Sequence, residues 1–276
     1  MNILTFDIED WYNHDDYSQD FEWDKFEVRL YEGVDKILET LDKNQRKANM
    51  KILVIAAHPD DEVYGMGGTI AKLSSLGHEV YLMIVTDGSS SQYKDRDNLS
   101  EIIENKKQET IASSSLLGIK EIFYGELPDM QLDSVPHIVI NKAIENIVRR
   151  IQPTIVFTHF WGDVNQDHRE VFKSTMVATR PVFGQIVKKV YCYNVPSSTE
   201  WAPQIPQYVY NPTNFVDIED FCNVKRMAIE AYKTEIREYP HPRSVEYVNI
   251  ADKYMGLSCG LNSAEGFVVI RDLELF

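Results

Sequence analysis

Residues 57–62 read Ala-His-Pro-Asp-Asp-Glu, and four of the six carry titratable side chains. An imidazole with several carboxylates in so short a span can hold a divalent cation, move a proton, or do both. Pro59 fixes its own φ and interrupts any regular strand ladder, so the chain must turn there. The turn lets His58 and Asp61 converge on one point. Asp60 and Asp61 are neighbours and diverge, so one can hold a metal while the other faces the adjacent water. The bland alternative is a helix start whose acidic residues interact with the dipole. The apolar run before the turn and the glycines after it, Gly65, Gly67 and Gly68, favour the chemical reading. Those glycines are not a dinucleotide fingerprint. Their spacing is not GxGxxG, and carboxylates stand where a pyrophosphate would sit.

A three-ligand catalytic metal site needs one more ligand. The stretch from Thr158 to Arg169, THFWGDVNQDHR, offers two histidines. His168 is preceded by Asp167, a carboxylate of the kind that orients a ligating imidazole. His159 competes with it from a strand end, where a hydrogen-bonded core histidine is equally expected.

The surrounding pattern shows what must position these groups. Lys51–Ala57 and Val80–Thr86 are continuous apolar runs of the kind that form buried parallel strands. Further strands are predicted at Glu121–Tyr124, Thr154–Thr158 and Val187–Tyr193. Helices are predicted at Thr69–Leu76, Glu101–Leu117, Pro136–Ile151, after His168, and at Val224–Arg237. Asp87–Leu99 reads as a loop, Val195–Asn214 as a wandering surface segment, and Pro240-His241-Pro242 cannot be helix interior. The alternation implies a Rossmann-like α/β fold, a mostly parallel sheet with helices on both faces, whose sites lie beyond the strand ends.

Length and composition agree with a soluble globular protein: 276 residues, 43% hydrophobic and 26% charged. A net charge of −15 argues against a nucleic-acid partner, since that affinity comes mainly from neutralising phosphates. There is no transmembrane run and no signal-peptide pattern. Cys192, Cys222 and Cys259, widely spaced, are expected as thiols in a reducing, cytoplasmic compartment. Residues 1–49 hold 13 acidic and 6 basic side chains, a disproportionate share of the charge. The chain is therefore divided into an N-terminal appendage, 1–49, and a main domain, 50–276.

The main domain resembles the LmbE/PIG-L deacetylases. The resemblance is carried by AHPDDE after an apolar strand, by GGTIAKL at 67–73, and by Thr86-Asp87-Gly88. It continues in Leu127-Pro128-Asp129-Met130, Asp167-His168 and Ala264-Glu265-Gly266-Phe267. It implies one Zn2+ per chain held by His58, Asp61 and His168, with Asp60 as general base. The implied reaction removes acetyl from an N-acetylglucosamine-type sugar or glycoconjugate, and the resemblance also implies a possible homo-oligomer. Where many relatives have HPDH this chain has Asn165-Gln166-Asp167-His168. Asn165 can donate to an oxyanion but not supply a proton. The general acid is then either His241 or Asp60 returning its proton. Asp163, Arg169 and Arg243 are candidates for sugar hydroxyls. The alternative activities are hydrolysis of another N-acyl amide and non-catalytic glycan binding.

The appendage resembles a different family, the NodB-type polysaccharide deacetylases, through Thr5-Phe6-Asp7-Ile8-Glu9-Asp10-Trp11. That resemblance maps a base to Asp7 and a metal ligand to Asp10. The HxxxH pair it also requires is missing from the sequence, so the segment reads as a truncated remnant and these two residues as non-catalytic.

Overall fold

The computed structural model describes residues 49–88 and 99–273. The appendage, with Asp7 and Asp10, lies outside the described residues apart from Asn49, as does most of the predicted 87–99 loop.

Residues Met50–Leu273 form one compact unit. In chain order its elements are β1 (Lys51–Ala56), α1 (Asp61–Ser75), β2 (Glu79–Thr86), α2 (Leu99–Leu117), β3 (Glu121–Leu127), α3 (His137–Ile151), β4 (Ile155–His159) and α4 (Gln166–Ala178). After these come β5 (Lys189–Tyr193), β6 (Asn214–Asp217), α5 (Cys222–Ala231), α6 (Val245–Cys259) and β7 (Ala264–Asp272). The seven strands are ordered β3-β2-β1-β4-β5-β7-β6. The first five are parallel, and β7 runs antiparallel between β5 and β6.

The apolar runs form strands because both faces of the sheet are covered. Ile52, Val54 and Ala56 face one layer with Val80, Leu82 and Ile84, under Ile70 of α1, Leu117 of α2, Ala228 and Ile229 of α5 and Val248 of α6. Leu53 and Ile55 face the other with Tyr81 and Met83, under Ile140 and Ile144 of α3 and Val171 of α4. The strand order reverses between β1 and β4, both of which pair with neighbours on opposite sides. A crevice therefore opens beyond their carboxyl ends. His58 follows β1 and His159 ends β4, so both motifs of the sequence lead into that crevice.

α1 begins at Asp61, eight residues earlier than the apolar spacing predicts, and it is interrupted at Met66. The interruption exposes a second set of helix-start N–H groups, which a buried carboxylate satisfies. Glu265 of β7 accepts from Gly68 N at 2.9 Å and from Thr69 N at 2.6 Å. Lys225 of α5 neutralises it at 2.8 Å and also meets Asp252 of α6 at 2.8 Å. α6, β6 and β7 are absent from the sequence-based expectation, and α5 is shorter than the predicted Val224–Arg237.

Candidate metal and catalytic site

β1 ends against a set of anchors that aim His58. Ala57 O accepts from both Thr86 N, at 3.0 Å, and Thr86 Oγ1, at 2.8 Å. Gly88, with φ +68°, packs on Pro59 so closely that any Cβ would collide with its ring. These contacts give Thr86-Asp87-Gly88 a physical meaning, since they clamp the turn. Asp60 sits at the N-cap with φ 103°, a left-handed conformation that costs of order 1–3 kcal/mol in a non-glycine residue. Its carboxyl and that of Asp61 consequently leave the turn in different directions.

His58, Asp61 and His168 converge, all buried. His58 Nδ1 lies 3.2 Å from Asp61 Oδ2, His168 Nε2 lies 3.4 Å from the same oxygen, and the two nitrogens are 3.3 Å apart. Bonds of about 2.0–2.1 Å in a tetrahedral zinc site imply ligand–ligand edges of about 3.3–3.4 Å, so this triangle has the size of one tetrahedral face.

The remaining ring nitrogens settle the proton positions. His58 Nε2 faces Asp167 Oδ2 at 3.2 Å and Asp129 Oδ1 at 3.4 Å. His168 Nδ1 faces Asp163 Oδ2 at 2.8 Å. Each of these nitrogens carries the hydrogen, so the converging pair present lone pairs to each other and to a carboxylate. Such a triangle calls for positive charge at its centre. Without a cation a proton supplies that charge, so the imidazoles hold their protons tightly. Burial opposes charge on His58, yet Asp61, Asp167 and Asp129 outweigh it and raise its pKa to about 10. Burial likewise opposes charge on His168, but Asp61 and Asp163 raise it. Asp61 is held well below the carboxylate range by the three histidines, against its own burial. A second oxygen, Asp61 Oδ1, is buried without a hydrogen-bond partner among the described residues. The residues fit a divalent cation.

The second histidine that competes in the sequence lies beside the same cluster, its Nε2 3.4 Å from Asp61 Oδ2, but that nitrogen is already engaged. His159 Nε2 accepts from Ala57 N at 2.7 Å, and Tyr193 Oη, 3.4 Å away, donates to Ile55 O at 2.8 Å. His159 thus pins the end of β1, and its ring stacks on His168 at 3.9 Å. Burial and the neighbouring His168 hold its pKa well below the usual imidazole value, so it is neutral. The orienting carboxylates are also exchanged relative to expectation. Asp167 serves His58, not its neighbour His168, and it receives Met130 N and Leu132 N at 2.7 and 3.0 Å. Asp163 holds His168 and accepts from Thr199 Oγ1 at 2.7 Å. Being fully committed and buried, Asp163 is not placed to meet a sugar hydroxyl. Arg169 is a strut, donating to Asp163 O and lying over the Tyr208 ring.

Asp60 occupies the neighbouring position. Burial raises its pKa, Arg243 lowers it, and Asp61 and Glu235 raise it again, the result being about 7. Arg243 Nη1 binds Oδ2 at 3.0 Å and Glu235 Oε2 at 3.1 Å, whereas Oδ1 has no partner among the described residues. Glu62, buried and bonded to Tyr232 Oη at 2.6 Å, is pushed up to about 8 chiefly by burial and braces Asp60 N. Asn165 caps α4 by accepting Asp167 N at 2.9 Å, and among the described residues its Nδ2 meets the Met130 thioether at 3.5 Å. His241 is not brought to the cluster. Its Nδ1 accepts Arg243 N at 3.0 Å and its ring meets Trp201 edge-on. Arg243 and Glu235 lie far from the motifs in sequence, which is why spacing gave no sign of their ion pairs.

Comparison with known proteins agrees with this geometry. Residues 53–179 match the family described as PIG-L, GlcNAc-PI de-N-acetylase. The chain is 27% identical over 234 residues to the diacetylchitobiose deacetylase of Thermococcus kodakarensis, covering 82% of this chain and 85% of that protein. It is 23% identical over 202 residues to 4-oxalmesaconate hydratase of Pseudomonas putida, covering 68% and 75% respectively. Among solved structures, the N,N'-diacetylchitobiose deacetylase from Pyrococcus horikoshii superposes with a TM-score of 0.65 at 24% identity, covering 94% of this chain and 95% of that one.

Proposed function

We propose that this chain is a PIG-L-type, metal-dependent N-deacetylase that hydrolyses the acetamido group of an N-acetylglucosamine-type sugar or glycoconjugate. The observation that carries the reading is the tetrahedral-sized triangle of His58, Asp61 and His168 with the unpaired Asp60 Oδ1 beside it. Two imidazoles and one carboxylate, at edges matching bonds of about 2.0–2.1 Å, favour zinc. A bound divalent ion would make water a better nucleophile at neutral pH and polarise the acetyl carbonyl.

The chain's own groups do the rest. Asp60 accepts a proton at Oδ1 from the attacking water, and Arg243 holds Oδ2 so that Oδ1 is the basic atom presented. The same proton passes to the amine nitrogen as the C–N bond breaks, yielding acetate and the amino sugar. Asn165 Nδ2 is assigned as a donor to the tetrahedral oxyanion, which its capping role leaves open because that role uses only its oxygen. His241 is kept below the usual imidazole pKa by partial burial and by Arg243 and Arg237, which favours Asp60 over His241 as the proton donor.

Among the described residues no helix is long and apolar enough to cross a membrane. Three free thiols, at Cys192, Cys222 and Cys259, support placing the protein in a reducing cytoplasm. A homo-oligomer is part of the same proposal, to be read by light scattering. So is the division at residue 49, with the appendage contributing no catalytic group.

The test is acetate release by the zinc-loaded protein from a panel of N-acetylglucosamine derivatives and other N-acyl amides, with Asp60→Asn in parallel. Release that disappears in Asp60→Asn while the metal is retained supports the assignment. Loss of metal in that variant would make Asp60 a ligand, and release only from non-sugar amides would replace the substrate class.

A further inference from the structure

Arg243 and Asp60 make one hydrogen bond where two are expected. A guanidinium and a carboxylate commonly meet as two forks, with parallel N–H···O bonds that occupy both oxygens. Here Nη1 reaches Oδ2 at 3.0 Å, and the buried Oδ1 stays without a partner among the described residues. A chelated Asp60 would be a poor base, because neither oxygen would be left for the water. The groups that prevent chelation lie on the other sides of Arg243. Its Nη1 carries two hydrogens, and the second goes to Glu235 Oε2 at 3.1 Å. Nε donates to Ser197 Oγ at 3.2 Å. The backbone is fixed as well, since Arg243 N donates to His241 Nδ1 at 3.0 Å and Arg243 O accepts from Tyr64 Oη at 3.0 Å.

Glu235 is in turn anchored from behind. Its Oε1 meets Lys106 Nζ of α2 at 2.8 Å, and Lys106 donates to Gly88 O at 2.6 Å. Both side chains are buried. Four charges thus alternate in a row, Lys106, Glu235, Arg243 and Asp60. Gly88 packs on Pro59, so the row closes on the turn that carries Asp60. We infer that Glu235 is a positioning residue, which holds the second hydrogen of Arg243 Nη1, keeps the guanidinium from chelating Asp60, and so leaves Oδ1 free for the attacking water. The inference rests on the deacetylase reading and adds a residue to its machinery. An amide at position 235 cannot serve in the same way. It has one oxygen for two cations, and whichever of Arg243 and Lys106 receives that oxygen, the NH2 group faces the other.

The experiment is steady-state acetate release by the zinc-loaded, full-length protein from the panel of N-acetylglucosamine derivatives, with crystal structures of the same variants. Glu235→Gln should lower kcat about ten- to hundredfold, the scale of a misplaced reacting group. KM and zinc content per chain should stay unchanged, because Asp60 acts on the water and not on sugar binding. In the variant structure Arg243 should contact both oxygens of Asp60. Glu235→Asp keeps the charge but draws it one methylene back from Nη1, and it should lose kcat in the same way. The ammonium of Arg243→Lys does not form the planar fork that spans a carboxylate. Adding Glu235→Gln to that background should therefore cost less than about threefold more, whereas a general defect of folding would cost as much in either background. An unchanged kcat in Glu235→Gln, an undiminished cost beside Arg243→Lys, or an Arg243 that still contacts Oδ2 alone in the variant structure would overturn the inference. Failure of the deacetylase reading shows separately, as no acetate release by the unmodified protein, and the contact that Arg243 makes in the variant structure then still decides the role of Glu235.

Discussion

Replacing Asp163 by Asn tests whether the buried carboxylate behind His168 tunes the metal site or merely fills space. Asp163 accepts from His168 Nδ1 at 2.8 Å and from Thr199 Oγ1 at 2.7 Å, so both of its oxygens are committed. An amide has one oxygen, so it keeps His168 Nδ1 only by turning its NH2 toward Thr199 Oγ1, whose hydroxyl must then accept instead of donate. It also removes the negative charge that makes His168 Nε2 a stronger electron donor. Losses of such orienting partners lower metal affinity about 10- to 100-fold, which is about 1.4–2.7 kcal/mol. The metal-free fold should respond differently. Burial raises the pKa of Asp163 against the pull of His168 and Thr199, so the carboxylate is itself under strain and its neutralisation is not expected to unfold the chain. The assay is zinc affinity by competition with a chromophoric chelator, alongside urea unfolding of the metal-free protein. Unchanged zinc affinity would refute the argument. So would an equal loss of stability in the metal-free chain, which would make Asp163 a structural residue.

Three further outcomes follow from the same geometry. His159→Phe should leave one zinc bound per chain, while the orphaned Ala57 N–H lowers stability by about 1–3 kcal/mol; loss of the metal would return His159 to the ligand set. Gly88→Ala should cost at least about 1 kcal/mol in urea unfolding, because alanine is strained at φ +68° and its Cβ meets Pro59. A smaller effect would mean that the turn yields. Burial raises the Glu235 pKa, but Lys106, at 2.8 Å, and Arg243 outweigh it, so the folded value lies below that of the unfolded chain. Its stabilisation is therefore present above about pH 4.5 and lost as the pH falls through the folded pKa. The stability gap between wild type and Glu235→Gln should close in acid, and a gap that stays constant from pH 7 to pH 3.5 would contradict this.

The parallel half of the fold was legible because its strands are buried on both faces and written as unbroken apolar runs. Lys51–Ala57 is the plainest case, and the structure ends that strand one residue earlier. The turn at Pro59 and the convergence of His58, Asp61 and His168 were readable for a related reason, since strand ends in such sheets lead to one crevice. The antiparallel strands were not readable. β6 is half-buried and four residues long, and β7 is buried only over its first half, so neither carries a strong period. α6 places just Val248 and Gly256 in the interior, too little for an amphipathic signature. Partners held across long separations left no trace in spacing. Arg243 reaches Asp60 over 183 residues, and Asp167 turned out to serve the distant His58 instead of its neighbour.

Glu265 caps the interrupted helix that begins with Asp61, over a separation of 197 residues from Gly68. On the ribosome, that helix emerges long before the strand that satisfies its exposed N–H groups. Until residues 264–272 leave the exit tunnel and slot between β5 and β6, the second half of the helix lacks the Glu265 acceptor and Lys225 has Asp252 without Glu265 as its counter-charge. Competence to take up metal is therefore a late event in the synthesis of each molecule. Nascent chains stalled before that strand should hold zinc poorly even though every ligand has already been translated.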